Sequence, residues 1–282
     1  MRYAITGASG FIGSALVHLL AQTGNQVLPV PHSKTGAVYP HIPEADVLFH
    51  VGGGGGIAAA DADPTGDLRA HATSTLELLT AQRAGCFGRL VLLSSAAVYG
   101  RVQGTVPEET EARPLAPYGV SKRTAELYLL AAVQRHSVDA AIARLGNPYG
   151  PGQRRLVVYD LALRALQHGA PLRVRGAGDA IRDFLHVRDV ARALALIGAQ
   201  AQSGSITNIG SGEPVSILDL AREVAASAGL NRDEVQTDGE AEPGKVNTFA
   251  PSVEKLRSLG FASEVSLSDG VAETVQWVRE QL

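Results

Sequence analysis

The stretch YAITGASGFIGSAL, residues 3–16, constrains the fold of this chain more than any other. An apolar run is followed by glycines at 7, 10 and 13 and then by an apolar segment, the pattern of a strand, a tight turn and a helix. Gly7 permits the turn, Gly10 lets backbone N–H groups approach a pyrophosphate, and Gly13 allows the helix to lie close on the strand. The helix then faces the phosphates with its positive end. Ser9, Phe11 and Ile12 share this turn and join the glycines as candidate cofactor contacts. The same run could be mistaken for a signal peptide, but the glycines interrupt its apolar core.

The first half alternates short apolar runs with helix-length amphipathic segments. Strands are expected at residues 3–6, 26–30, 46–51, 90–94 and 140–145, and helices at 11–22, 67–83 and 118–135. This is an α/β chain with a Rossmann-like doubly wound parallel sheet. Residues 31–45 are too few for another helix and strand, so the sheet is expected to be trimmed there. After Pro148 the rhythm changes, with a helix near 157–168, a strand at 172–174, helices near 187–199 and 217–228, and a last helix from about 268. Residues 1–150 therefore read as a dinucleotide-binding domain. Residues 151–282 read as a mainly substrate-binding α+β portion, with about 180–210 returning to the first domain.

Composition excludes several classes. A formal charge of −3 leaves no broad basic footprint for nucleic acid. Cys86 is the only cysteine, which rules out an intrachain disulfide and a thiolate metal cluster and fits the cytoplasm. It reads as packing. The eight histidines lack a zinc-type spacing, so no metal is expected. No apolar run reaches the roughly 20 residues of a membrane span.

Three further stretches bear on chemistry. The second strand ends in VLPVPHSKTG, with no Asp or Glu before Glu44 to take the ribose hydroxyls of NAD. His32, Ser33 and Lys34 there either form a solvated loop or meet the 2′-phosphate of NADP, and this favours NADP over NAD. The fourth strand ends in Ser94 and Ser95 at the carboxyl edge of the sheet, where such folds bind ligands; the alternative is a local backbone cap. In PYGVSK, Tyr118 and Lys122 are four residues apart and share one helix face. Such a pair either covers surface or readies the tyrosine for proton exchange, because a nearby ammonium lowers a phenol from its usual value of about 10. The pentaglycine at residues 52–56 is costly to order and is expected to be a mobile loop that closes when the dinucleotide binds.

TGASGFIG, SSAAVYG, PYGVSKRTAE, RLGNPYGPGQ and IRDFLHVRDVARAL occur in the order seen in the extended short-chain dehydrogenase/reductases, and the chain resembles that family over nearly its whole length. The resemblance implies that Tyr118 exchanges the proton of a sugar hydroxyl or ketone. It further implies that Lys122 binds the nicotinamide ribose and steadies the tyrosinate, and that Ser95 bonds the reacting oxygen, with Ser94 beside it. Gly52, Gly53, Leu145 and Pro148 fall at cofactor-contacting positions. Asn147 matches an asparagine that contacts the sugar diphosphate, and Arg182 an arginine that pairs with phosphate, although Arg182 adjoins Asp183 and has a turn pair as its alternative. A nucleotide-sugar substrate and a homodimer built on a four-helix bundle, from the Tyr118 helix and the one before it, are implied as well.

The chain departs from the family in places. Ala96 and Ala97 stand where the dehydratases carry Asp-Glu, so elimination of water lacks its proton carriers. Glu242, Pro243, Gly244 and Lys245 replace Arg-x-Gly-Asp, which leaves Lys245 as a candidate phosphate contact and Arg154 and Arg155 as compensating or solvated cations. His71 stands where relatives often have asparagine and is expected to be a half-buried surface histidine. His186 to Asp189 reads as a helix start with Asp189 in the first turn. The leading expectation is an epimerase acting at C4 through a keto intermediate. Its alternative is an NADPH-dependent reductase of an NDP-4-keto sugar, and a cofactor-sensing protein without catalysis stands third.

Overall fold

In the computed structural model, which describes residues 1–239 and 248–282, the glycine turn joins β1 (Arg2–Thr6) to α1 (Phe11–Gln22). There follow β2 (Gln26–Val30), β3 (Ala45–His50), α2 (Ile57–Ala62), α3 (Pro64–Leu68), a π-helical turn (Arg69–Thr73), α4 (Ser74–Arg83), β4 (Phe87–Ser95), β5 (Gly104–Val106), α5 (Pro117–His136) and β6 (Asp139–Leu145). The later chain adds β7 (Asn147–Tyr149), α6 (Leu156–His168), β8 (Leu172–Val174), β9 (Ile181–Arg182), β10 (Phe184–His186), α7 (Val187–Gln200) and β11 (Ile206–Ile209). It closes with β12 (Val215–Ser216), α8 (Ile217–Ala228), β13 (Val235–Thr237), β14 (Thr248–Pro251), α9 (Glu254–Ser258) and α10 (Leu267–Arg279).

Six parallel strands form the main sheet in the order β11-β6-β4-β3-β1-β2. Side chains alternate across it. Ile5, Phe49, Val91 and Ala143 face α1 and α7, which supply Leu16, Leu20, Val190, Leu194 and Ile197. Ala4, Leu48, Leu90 and Ile142 face α4 and α5, which supply Leu78, Leu79, Ala125 and Leu129. The sheet ends at β2 because residues 31–44 run straight into β3 without a further strand. Beyond β6, α7 and β11 pack on and extend this same sheet, while α6, α8 and α10 enclose a smaller core of Val158, Leu161, Leu220, Val224, Val271 and Val275.

The helix expected over residues 67–83 is broken into pieces and begins earlier. Pro64 restarts it as α3, with the Asp63 carboxylate accepting the Gly66 N–H at 2.9 Å, and the π-helical turn then inserts an extra residue.

One buried ion pair ties α5 to the sheet. Arg144, next to the end of β6, donates to both carboxylate oxygens of Glu126 at 2.9 and 2.8 Å, and both side chains are shut off from solvent. The Ser94 hydroxyl donates to the same carboxylate at 2.6 Å, and the Tyr99 ring lies 4.7 Å from the guanidinium carbon. Removing one member leaves an uncompensated buried charge. Glu126→Ala should therefore cost about 3–5 kcal/mol in urea denaturation, and the double variant Glu126→Leu/Arg144→Met should recover most of it. An unchanged midpoint for the single variant would show that the pair carries no structural weight.

Candidate active site

The crevice begins where the chain leaves β1 and β3 in opposite directions, the switch point at which open α/β sheets bind ligands. Gly7 has φ +66°, and a Cβ there would lie 2.7 Å from the Cα of Gly52. A Cβ at Gly13 would run into the Gly7 carbonyl oxygen. Gly10 caps α1 without any side-chain bond, which leaves the N–H groups of the first turn to a ligand. Ser9 is exposed in the turn, Phe11 is half-buried at the helix start, and Ile12 packs against the core. These residues fit a dinucleotide, since Gly7, Gly10 and Gly13 put no side chain over the uncapped N-terminus of α1.

The floor of the crevice is a buried polar line. Thr6 Oγ1 accepts the Gly52 N–H at 2.9 Å and lies 2.8 Å from His50 Nδ1, whose Nε2 is 3.0 Å from the Ser74 hydroxyl. Burial, helped by the Lys122 charge, pushes His50 down to about 3. Its imidazole is therefore neutral at physiological pH.

His32 and Lys34 are exposed beyond β2, and Ser33 is tied back to Val38 and Thr35 by short loop bonds. The register pairing Thr6 with Val30 places this loop beside the glycine turn. Arg69, which no sequence signal pointed to, donates to the Gly36 carbonyl at 2.7 Å and adds another cation to the same loop.

Tyr118 lies in the first turn of α5, with Pro117 fixing the helix start, and Ser95 ends β4 opposite it. Lys122 Nζ donates to the Leu93 carbonyl at 2.8 Å and sits 5.9 Å from the centre of the Tyr118 ring. Burial pulls Lys122 down to about 8, against the carboxylates of Asp67 and Glu126. Burial pushes the Tyr118 phenol up; the Ser95 hydroxyl restrains it, Asp67 adds to the rise and Arg155 opposes it. The direction is opposite to that expected of a phenol beside its lysine: desolvation dominates, and the opposing influences come from Ser95 and Arg155.

His71 also corrects an expectation. It is not a half-buried surface residue: its side chain is 2% exposed, with Nε2 3.3 Å from Asp67 Oδ1, and its ring meets the Tyr118 ring edge-on at 5.4 Å. The π-helical turn rotates it inward, and the glycine loop leaves it room.

A cleft of about 640 Å³ is lined by Asn147, Arg155, Arg164, Arg175 and Arg182, together with Pro148, and Arg155 connects it electrostatically to Tyr118. Asn147 Nδ2 donates to the Asp183 carbonyl at 2.9 Å. The Asp183 carboxylate is engaged by the Ser211 N–H and hydroxyl, both at 2.7 Å, and by the Gly212 N–H at 2.8 Å. Arg164 and Arg175 escaped the sequence reading, since only tertiary packing brings them here. Arg154 turns away onto Trp277, 5.6 Å from its ring, whereas Arg155 reaches the Gly55 carbonyl. Leu145 is buried at the end of β6. Ser94 does not reach the cleft, because its hydroxyl is committed to Glu126. Lys245 and the Glu242 segment lie outside the described residues.

Residues 3–210 match the model of the NAD dependent epimerase/dehydratase family. A dTDP-glucose 4,6-dehydratase of Streptomyces niveus is 30% identical over 99% of this chain and 93% of its own length. A GDP-6-deoxy-D-mannose reductase of Pseudomonas aeruginosa is 33% identical over 83% of each chain. Among solved structures, MoeE5 in complex with UDP-glucose and NAD aligns with a TM-score of 0.84 at 31% identity, covering 100% of this chain and 99% of that one.

The buried neutral His50 makes stability pH-dependent with a definite sign. Its folded value of about 3 lies below an unfolded value of about 6.5, so the unfolded chain binds the extra proton between the two. The contribution is complete above about pH 6.5 and falls by up to about 1.4 kcal/mol per pH unit below it. Denaturant midpoints from pH 7 to 5 should show at least this slope, to which the likewise depressed His71 and His186 add, and His50→Gln should remove only the His50 share; an equal slope in the variant would remove His50 as a cause.

Proposed function

The chain belongs to the NAD dependent epimerase/dehydratase family, and on that premise we propose that it is a nicotinamide-dependent epimerase of nucleotide sugars acting at C4 through a transient keto intermediate. The observation that supports this reading is the meeting of Ser95, Tyr118 and Lys122 at the end of β4, where Arg155 of the arginine-lined cleft acts on the same phenol. In it Gly7, Ser9, Gly10, Phe11, Ile12, Gly13, Gly52 and Gly53 hold the dinucleotide from one side, with Leu145 and Pro148 toward the other. Arg182 and Asn147, supported by Arg164 and Arg175, take the diphosphate, for which a guanidinium fork is suited. Ser95 bonds the reacting oxygen, and Tyr118 accepts its proton. The Lys122 ammonium steadies the resulting phenolate. The dinucleotide, when bound, supplies hydride acceptance and return. Ala96 and Ala97 offer no acid or base for loss of water, which supports epimerisation over dehydration although a relative carries the dehydratase name.

A second reading, an NADPH-dependent reductase of an NDP-4-keto sugar, draws support from one region. His32, Lys34 and Arg69 surround a second-strand loop that lacks a carboxylate, an arrangement suited to a 2′-phosphate. The retained Tyr118 and Lys122 argue against a cofactor sensor. We further propose a homodimer through the outer face of α5, where Leu127 and Tyr128 are 51% and 46% exposed, and a cytoplasmic setting that suits the lone Cys86.

Freshly purified protein should release stoichiometric NAD on denaturation if it is the epimerase. An empty site that prefers NADPH in titration would instead establish the reductase. Tyr118→Phe should lower turnover of UDP-, dTDP- or GDP-sugars about 10²–10⁴-fold while still binding dinucleotide. Full activity in that variant would overturn both readings. Sedimentation should give a dimer that Leu127→Glu dissociates; a wild-type monomer would end the dimer proposal.

A further inference from the structure

We propose that His71 is a positioning residue that clamps the glycine loop and the Tyr118 ring to one another, so that one side chain sets both the cofactor wall and the proton-transferring group. This rests on the reading of Tyr118 given above. The imidazole is wedged between the two. Above it, Nε2 lies 3.2 Å from the Gly54 amide nitrogen, which donates to it, and a Cβ at Gly53 would collide with the ring carbon Cε1. A Cβ at Gly54 would stand 2.9 Å from Asp67 Oδ1. Beside it, the ring edge meets Tyr118 at 5.4 Å and 76°, a favoured aromatic geometry.

The pentaglycine thus has a packing reason besides freedom of motion: its middle residues have no side chains because His71 and Asp67 occupy that space. The backbone that carries the ring is also tied down. The His71 main-chain carbonyl accepts the Thr75 hydroxyl at 2.7 Å and the Ser74 hydroxyl at 3.1 Å, and Ser74 continues through His50 to Thr6 and the Gly52 amide. Burial, the Lys122 ammonium and His50 all push His71 below its ordinary value, which keeps Nε2 free to accept from Gly54. Nε2 nevertheless faces Asp67 Oδ1 at 3.3 Å, and neither Asp67 oxygen has a hydrogen-bond partner. A shift of the ring proton onto Nε2 would turn the bond toward Asp67 and release Gly54, so the tautomer decides whether the loop is held.

The test is a double-variant cycle on the full chain, read by dinucleotide affinity from fluorescence titration as well as by kinetics. Gly53→Ala should weaken dinucleotide binding at least tenfold. Adding His71→Ala should restore the affinity to within about threefold while turnover stays at least tenfold low and the sugar-nucleotide KM changes less than twofold. His71→Asn, smaller than the imidazole but polar, gives the same comparison should the alanine variant not fold. A double variant that binds no better than Gly53→Ala, or a His71 variant with wild-type turnover, would overturn the clamp. Should Tyr118→Phe retain activity, the catalytic reading falls by itself, and the affinity coupling between residues 53 and 71 still decides whether the imidazole holds the loop.

Discussion

The bond between Glu126 and Arg144 fixes where everything else in the site can stand. Burying two full charges is unfavourable unless each satisfies the other, and the bidentate geometry allows only one orientation of α5 on β6. Lys122 is one turn before Glu126 on the same face, and Tyr118 one turn before that. Once the carboxylate is seated, Lys122 meets the Leu93 carbonyl and Tyr118 meets the end of β4. The charges also act at a distance, since Glu126 is one of two carboxylates that hold the buried Lys122 amine toward its ammonium form.

Much of this was legible in the sequence because it rests on short-range rules. Glycine spacing specified the turn at Gly7, and the four-residue interval placed Tyr118 and Lys122 on one face. The alternation of a strand could have separated Ser94 from Ser95, since neighbours point to opposite sides; Ser94 is committed to Glu126, whereas Ser95 accepts the Ala97 N–H as a local cap and also restrains the Tyr118 phenol. His71 was not legible. A helical period predicts its face only while the helix stays regular, and the π-helical turn adds a residue that changes the phase. Arg164, Arg175 and Arg69 were beyond reach for another reason: they meet the site through packing between segments distant in sequence, which leaves no local pattern.

The buried histidines illustrate how a site can be built from neutral polar groups. His50 and His71 lie close to an ammonium, and a second positive charge there would be repelled as well as desolvated. Both are therefore held uncharged, and both offer ring nitrogens as hydrogen-bonding groups to backbone or hydroxyl partners. The polar line from Gly52 through Thr6, His50 and Ser74 joins β1, β3 and α4 on the same face of the sheet as the apolar contacts of Ala4, Leu48, Leu78 and Leu79.

Because the sheet stops at β2, the part of the crevice next to that strand is bordered by a loop instead of another covered strand. Residues 31–36 carry no core side chain, and their fixed points are the Ser33 turn and the Arg69 tether. This rim, which the proposed function makes the place where the two nicotinamide dinucleotides are told apart, is mechanically separate from the hydrophobic layers that stabilise the fold. Exchanges of the exposed residues there leave those layers untouched, so the rim is free to change its chemistry without loss of core packing.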